Sequence, residues 1–182
     1  MRRVELRAPT RADRDEYLAA MRASEALHHP WVHPPTTPEG YQRLLARAAD
    51  ERYKSLLACR VSDGAIVGYF NISEIVRGAF QSGFLGYGGV AAHAGRGYMT
   101  EGLELLITYA FGPLALHRLE ANIQPANIRS IALVRRCGFV HEGFAPGYLK
   151  VDGRWRDHEH YAIRAEQWRA RTAQTGGSGS GS

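Results

Sequence analysis

The residues best placed to do chemistry sit in a glycine-rich turn, Ala94-Gly-Arg-Gly-Tyr-Met99, between a strand-like stretch ending near Ala91 and a helical stretch starting near Tyr98. A helix that begins at such a turn leaves its first N–H groups without carbonyl partners, at the positive end of the helix dipole. Several free N–H groups aimed at one point make an anion site, and one of this shape suits a pyrophosphate. Glycines here would equally serve a plain turn. The other reactive types are scattered. Cys137 is a nucleophile in type, yet it precedes Gly138-Phe139 at a helix end with no paired histidine nearby, and reads as a buried core thiol. His28, His29, His33, His158 and His160 are flanked by prolines or lack Cys or acid at ligand spacing, so no metal site is expected. Ser130, one turn into a helix that follows Asn127, offers a hydroxyl that could move a proton or satisfy a local carbonyl. Glu74 and Glu142 offer carboxylates on strands, readable as bases or as solvated, salt-bridged side chains.

The elements that must position these groups follow from pattern. Val4 to Arg7 alternates as a short strand, and Thr10 then caps a helix over about residues 11 to 25, with Asp13 three positions on. Leu27 to Pro35 holds three prolines, three histidines and Trp31 and reads as a loop; Thr37-Pro38-Glu39 restarts a helix. Ser55 to Val61, the Asp63-Gly64 turn and Ala65 to Phe70 read as a hairpin, because Asp-Gly supplies the positive φ angles of a tight turn. A strand over Phe84 to Ala91 leads into the glycine turn, and Leu103, Leu106, Ile107 and Ala110 mark one face of the helix to Phe111. Arg118 to Ile123 is a strand, Asn127 caps a short helix ending at Gly138, and Phe139 to Leu149 with Trp155 to Ile163 form a last hairpin. This order of seven strands interleaved with helices fits an α/β (α+β) domain, a mixed sheet with helices on both faces.

Composition bounds the class. The 182 residues, 45% hydrophobic and 23% charged, suit one globular domain. Residues 1–170 are expected to form it, with 171–182 a flexible tail whose Gly-Ser end reads as an appended linker. No segment approaches the roughly 20 apolar residues of a membrane helix, and no apolar signal region follows Met-Arg-Arg, so a cytoplasmic protein without membrane contact is expected. Cys59 and Cys137 are too few for a disulfide framework. The 23 Lys+Arg against 18 Asp+Glu give +5, and all the basic residues but Lys54 and Lys150 are arginine. The excess is spread thinly, unlike the concentrated stripe of a dedicated nucleic-acid site. Arg96, Arg129, Arg135 and Arg136 flank the glycine turn and the helix after Asn127, where an anionic nucleotide would use them.

Together the segments resemble the GNAT superfamily of acetyl-CoA-dependent N-acetyltransferases, over almost all of residues 1 to 170. Ala94 to Met99 is similar to the superfamily's (Gln/Arg)-x-x-Gly-x-(Gly/Ala) acetyl-CoA loop, and Asn127-x-x-Ser130 with Arg136-Cys-Gly-Phe139 to its second characteristic helix and strand. More narrowly, Ile75 to Gln81, Phe84-Leu-Gly-Tyr87, His117-Arg118, Glu142-Gly143 and Tyr148-Leu through Asp152-Gly-Arg-Trp-Arg-Asp157 resemble the RimJ/RimL ribosomal-protein-alanine N-acetyltransferases. The resemblance implies the GNAT fold, with a mostly antiparallel mixed sheet. It implies acetyl-CoA as cosubstrate, held by Val90, Ala91, Gly95, Arg96, Gly97, Tyr98, Met99, Thr100, Asn127, Ser130 and Arg136. It implies Ser130 as proton donor to the thiol, since Val134 stands where the superfamily often has tyrosine. Three positions depart: Ala94 replaces the usual Gln or Arg, Met99 the usual Gly or Ala, and Gly147 an acidic residue that serves the close group as base.

Acetyl transfer from a thioester needs a neutral amine, a stabilised oxyanion and a proton for the departing thiolate. An α-amine titrates near 8 and a lysine near 10.4, so a weak base suffices for an N-terminus. With Gly147 in place of the acid, Glu74 is the first candidate base and Glu142 the second. Trp31, Phe80, Tyr148 and Trp155 resemble the elements that enclose the acceptor, and aromatic walls suit the first residues of a peptide. The acceptor implied is the N-terminal alanine of a (ribosomal) protein, attacked directly in a ternary complex. A small amine (amino sugar, polyamine or antibiotic) and a non-catalytic acetyl-CoA-binding regulator stay open, as do ribosome association and the choice between monomer and homodimer.

Overall fold

The computed structural model describes residues 2–176. Seven strands form one sheet in the order β1-β2-β3-β4-β5-β7-β6. They are β1 (Val4–Arg7), β2 (Lys54–Arg60), β3 (Ile66–Val76), β4 (Ser82–Gly89), β5 (Arg118–Ile123), β6 (Val140–Val151) and β7 (Arg154–Arg164). Every neighbouring pair is antiparallel except β4 and β5, which run parallel. The helices are α1 (Arg14–Ala23), α2 (Glu25–His28), α3 (Pro38–Ala46), α4 (Tyr98–Phe111), α5 (Ile128–Arg136) and α6 (Ala165–Gly176). This is the expected mixed, mostly antiparallel sheet, and consecutive residues of β2 show why helices cover both of its faces. Ala58 points into a cluster with Leu103, Leu106 and Ile107 of α4, while Leu57 and Cys59 point into a second with Tyr17, Leu18 and Met21 of α1.

Local chemistry fixes the ends of these elements. Thr37 Oγ1 accepts from the Gly40 N–H at 3.1 Å to start α3, with Pro38 in its first turn, and Asn127 Oδ1 accepts from the Ser130 N–H at 3.2 Å to start α5. Four expectations need correction. The first helix is not continuous to residue 25: Ser24 turns out of it, donates to the Ala20 carbonyl at 2.7 Å and accepts from the Ala91 N–H at 2.9 Å, and the chain then makes the short turn α2. Leu27 and His28 are therefore helical rather than looped. Strand β3 runs past Phe70 to Val76, where a bulge interrupts the alternation that would have revealed it, so that Ile72 and Ile75 are both buried although three residues apart. The tail expected from residue 171 is helical as far as Gly176, because Trp168 packs into the main core and anchors α6 there. Residues 177–182, the Gly-Ser end, lie outside the described residues.

Candidate active site

Strand β4 pairs with β5 only from Ser82 to Phe84, opposite Arg118 to Glu120. Beyond that point β4 stays bonded to β3 as far as Gly89 and β5 to β7 as far as Ile123, so the sheet opens in a V between them. A cleft of about 1250 Å³ occupies the gap, lined by Leu85 to Gly89 on one arm and Ala121 to Ile123 on the other. That volume exceeds the ~300–1,000 Å³ of most small-molecule sites and suits a long ligand. The inner edges of the two arms carry backbone N–H and C=O groups that no neighbouring strand takes up. Alternation gives the cleft two faces. Leu85, Tyr87, Ala121 and Ile123 belong to the side of α4 and α5, whereas Asn122 lies on the other side with Tyr148 and His158.

On the α4 side the glycine turn does what its sequence suggests. Gly97 holds φ +81 at the start of α4, and a Cβ there would lie 3.3 Å from Arg3 Nη2. The first bond of the helix runs from the Glu101 N–H to the Gly97 carbonyl at 3.1 Å, so the N–H groups of Tyr98, Met99 and Thr100 precede the helical ladder. Arg3 pins the turn, donating to the Arg96 carbonyl at 3.2 Å and to Glu101 Oε2 at 3.1 Å. Arg129 and Arg136 line the cleft, and Arg136 donates to Thr100 Oγ1 at 3.2 Å, tying α5 to the first turn of α4. The donors and positive charge that an anion needs therefore gather at this end.

Ser130 stands where this face meets the gap. Its hydroxyl shares a short hydrogen bond with the Tyr87 hydroxyl, which also donates to the Ser130 carbonyl at 3.3 Å. Burial pushes the Tyr87 pKa up, which keeps the phenol protonated. Tyr87 has no assigned role at the sequence level, since only the pairing of two arms far apart in the chain brings its hydroxyl to Ser130. Val134 is fully buried and offers nothing to the cleft.

The opposite face is built from α2, the loop after it, β5 and the β6–β7 hairpin. His28, 4% exposed, donates from Nε2 to the Gly89 carbonyl at 2.8 Å, and burial lowers its pKa. Trp31 lines the cleft beside it. Asn122 Oδ1 is buried without a partner, while its Nδ2 donates to the Tyr148 hydroxyl at 3.5 Å. Tyr148 packs on His158 and His160, with ring centroids 5.8 and 4.5 Å apart. Among the described residues lining the cleft there is no Asp or Glu. A recess of about 280 Å³ adjoins it through His28 and holds Arg22, Glu25 and His33.

The remaining candidates sit elsewhere. Val90, Gly95, Asn127 and Ser130 line the cleft with Gly97 to Thr100. Ala91 does not, its N–H being taken by Ser24, and neither does the exposed Arg96. Phe80 and Trp155 are 71% and 66% exposed outside it. Glu74, at φ +46 in the β3 bulge, pairs with Arg52 at 3.4 Å. Glu142 accepts two hydrogen bonds from Arg118, one at 3.0 Å, which lowers its pKa and weakens it as a base. Neither carboxylate lines the cleft. Cys137 is a buried thiol, pushed up to about 12 by burial. Among the described residues no three His, Cys, Asp or Glu side chains cluster as metal ligands, and no helix is long and apolar enough to cross a membrane.

The chain is similar to known proteins. The profile of the Acetyltransferase (GNAT) domain matches residues 3–140. The [Ribosomal protein uS5]-alanine N-acetyltransferase of Escherichia coli (strain K12) is 42% identical over 103 residues, covering 57% of this chain and 53% of that protein. The chain spans only a little over half the length of the curated relatives it matches. The structure of Mycobacterium smegmatis RimJ in complex with CoA-disulfide superposes with a TM-score of 0.84 at 28% identity, over 95% of this chain and 89% of that one. The ribosomal-protein-S5-alanine acetyltransferase from Vibrio fischeri superposes with a TM-score of 0.79 at 25% identity, over 92% and 96%.

Proposed function

The chain belongs to the GNAT acetyltransferase family, and from that premise we propose that it is an acetyl-CoA-dependent N-acetyltransferase whose acceptor is the α-amine of a protein, the N-terminal alanine of a ribosomal protein above all. The observation that carries the acceptor class is the division of the cleft. Donors and arginines gather on the α4 side, and the other side presents His28, Asn122 and His158 with no carboxylate. A polyamine would bring further ammonium groups into a cleft whose described lining holds no carboxylate, the acid of the adjoining recess, Glu25, sharing that recess with Arg22, and an unpaired buried charge costs about 3–5 kcal/mol. A peptide N-terminus brings one amine, of which roughly a tenth is neutral at pH 7, on a chain that Trp31 can cover.

The residues fit acetyl-CoA, which supplies an acetyl group activated on a thiol. The N–H groups of Tyr98 to Thr100, with Arg129 and Arg136, are placed to hold its phosphates. The unpaired inner edges of β4 and β5 offer partners to the amides of its arm. Asn127 holds the start of α5, and with it Ser130, which gives its hydroxyl proton to the departing sulfur; Tyr87 stands behind it as the second donor. The acceptor amine enters from the α2 and β6–β7 side, so nucleophile and leaving group meet in the gap from opposite faces. The likeness to the E. coli enzyme supports alanine and a ribosomal protein as acceptor, and a cytoplasmic place of work.

The test is release of CoA thiol from acetyl-CoA with peptides differing only in residue one, beside spermidine and an amino sugar. The expected result is fastest release with an alanine-initiated peptide. Turnover confined to the small amines would overturn the acceptor. Acetyl-CoA binding without release across the panel would instead favour a regulatory protein.

A further inference from the structure

We propose that His158 is the base of this reaction, taking the proton from the attacking amine at Nε2; the inference rests on the acetyl-transfer reading above. Acids are excluded by position: Glu74 and Glu142 lie outside the cleft on arginines. Gly147 has no side chain to offer, and its φ of +57 in the irregular stretch of β6 between Ala145 and Leu149 strains any residue that would carry one. Its N–H donates to Asp157 Oδ1 at 2.8 Å, and Asp157 does not line the cleft either. The bases left among the described lining residues are the imidazoles of His28, His93 and His158. In His28 the Nε2 is taken by the Gly89 carbonyl and the Nδ1 is sealed inside the protein, and His93 stands at the anion end of the cleft, ahead of the glycine turn and against the Tyr98 ring. His158 differs. Only 4% of the residue is exposed, its Nδ1 lies 3.0 Å from the Arg156 carbonyl, and an oxygen that only accepts fixes the proton on Nδ1. The lone pair therefore sits on Nε2, which has no hydrogen-bond partner among the described residues and is not among the sealed atoms.

In the step, the amine nitrogen bonds to the acetyl carbon and the carbon–sulfur bond breaks. One N–H proton goes to His158 Nε2. The sulfur takes the proton of Ser130, which Tyr87 replaces. The imidazolium then gives its proton to water, and Tyr87 regains one from water, so atoms and charge balance. Burial of His158 lowers its pKa, with His160 acting in the same direction and Asp157 against it; Tyr148 packs on its ring from β6 and His28 faces the same cleft from α2. The imidazole is thus neutral and ready at pH 7, and activity is lost as pH falls through a value below about 6.5.

His158→Gln tests this. With an alanine-initiated peptide, kcat/KM is expected to fall about 10²-fold, with the Kd for acetyl-CoA unchanged and His117→Gln, outside the cleft beside Glu166, keeping the full rate. Below the pKa of the peptide amine, near 8, log kcat/KM of the unmodified protein should fall with slope one, steepening to two below the His158 pKa; in His158→Gln the slope should stay one. A readout independent of turnover is the imidazole NMR spectrum of the protein without acetyl-CoA. It should show His158 as the Nδ1–H tautomer, titrating below 6.5 and shifting when the peptide is added. A His158→Gln rate within threefold of the unmodified protein, a single slope in both, or an Nε2–H tautomer would overturn the base. Failure of the unmodified protein with every amine would overturn the acetyl-transfer reading on which it rests. Should His158→Gln not fold, the slopes and the tautomer of the unmodified protein decide the matter.

Discussion

On the α4 side the cleft is lined largely by backbone: a left-handed glycine, N–H groups ahead of the helical ladder, and the open edge of β4. On the β6–β7 side it is lined by side chains, His158 and Asn122 with Tyr148 behind them, drawn from strands that meet only through sheet pairing. Backbone recognition tolerates side-chain change and asks only for a conformation, so it serves a ligand of fixed chemistry. Side-chain recognition changes with each substitution, and it is where relatives of one fold can differ in acceptor.

If this division is right, the largest loss of turnover without a loss of cofactor comes at the junction of the two faces. Ser130→Ala should lower kcat by about 10²-fold or more while the Kd for acetyl-CoA, by calorimetry, stays within a factor of two. A parallel loss of affinity would move Ser130 from proton donor to binding residue. Next comes the backbone side itself. Gly97→Val forces a β-branched residue to φ +81 beside Arg3. At ~1–2 kcal/mol for the left-handed conformation, acetyl-CoA should bind roughly 5- to 30-fold more weakly. An unchanged Kd would mean that the turn is only a turn.

These expectations separate what the chain reveals by itself from what it conceals. The glycine turn, the Asn127 cap and the Gly138 end of α5 were legible because each acts through its own few residues. The ion pairs of Glu74 and Glu142 were not legible because the arginines that hold them come from the turn before β2 and from β5, 22 to 24 residues away. Tyr87 and His158 were silent for the same reason, each gaining its role across a strand pairing or across the gap. Strand β3 hid its second half behind a bulge, and α6 hid in a polar stretch whose one buried aromatic, Trp168, holds it to the core.

Smaller effects are read in stability. Asn127→Ala removes the bond to the Ser130 N–H, at about 1 kcal/mol of stability, and should lower Tm by roughly 2–4 °C. Asp13, outside the cleft, accepts from Arg7 at 2.8 Å and from the Thr10 N–H at 2.7 Å, which hold its pKa at about 2. A lowered folded pKa contributes stability that is complete above the unfolded value near 3.9 and is lost as pH falls toward 2. Asp13→Asn should flatten that acid limb in denaturant titrations and leave kcat at pH 7 unchanged; a change in kcat would place the Arg7–Asp13 pair in contact with the site.

The division of the cleft is tested most directly by the ratio of kcat/KM for an alanine-initiated peptide to that for spermidine, measured at one pH with saturating acetyl-CoA. A face without carboxylates predicts a preference for the peptide of at least ~10²-fold, the penalty of one unpaired ammonium. Equal rates, or a preference for spermidine, would contradict it.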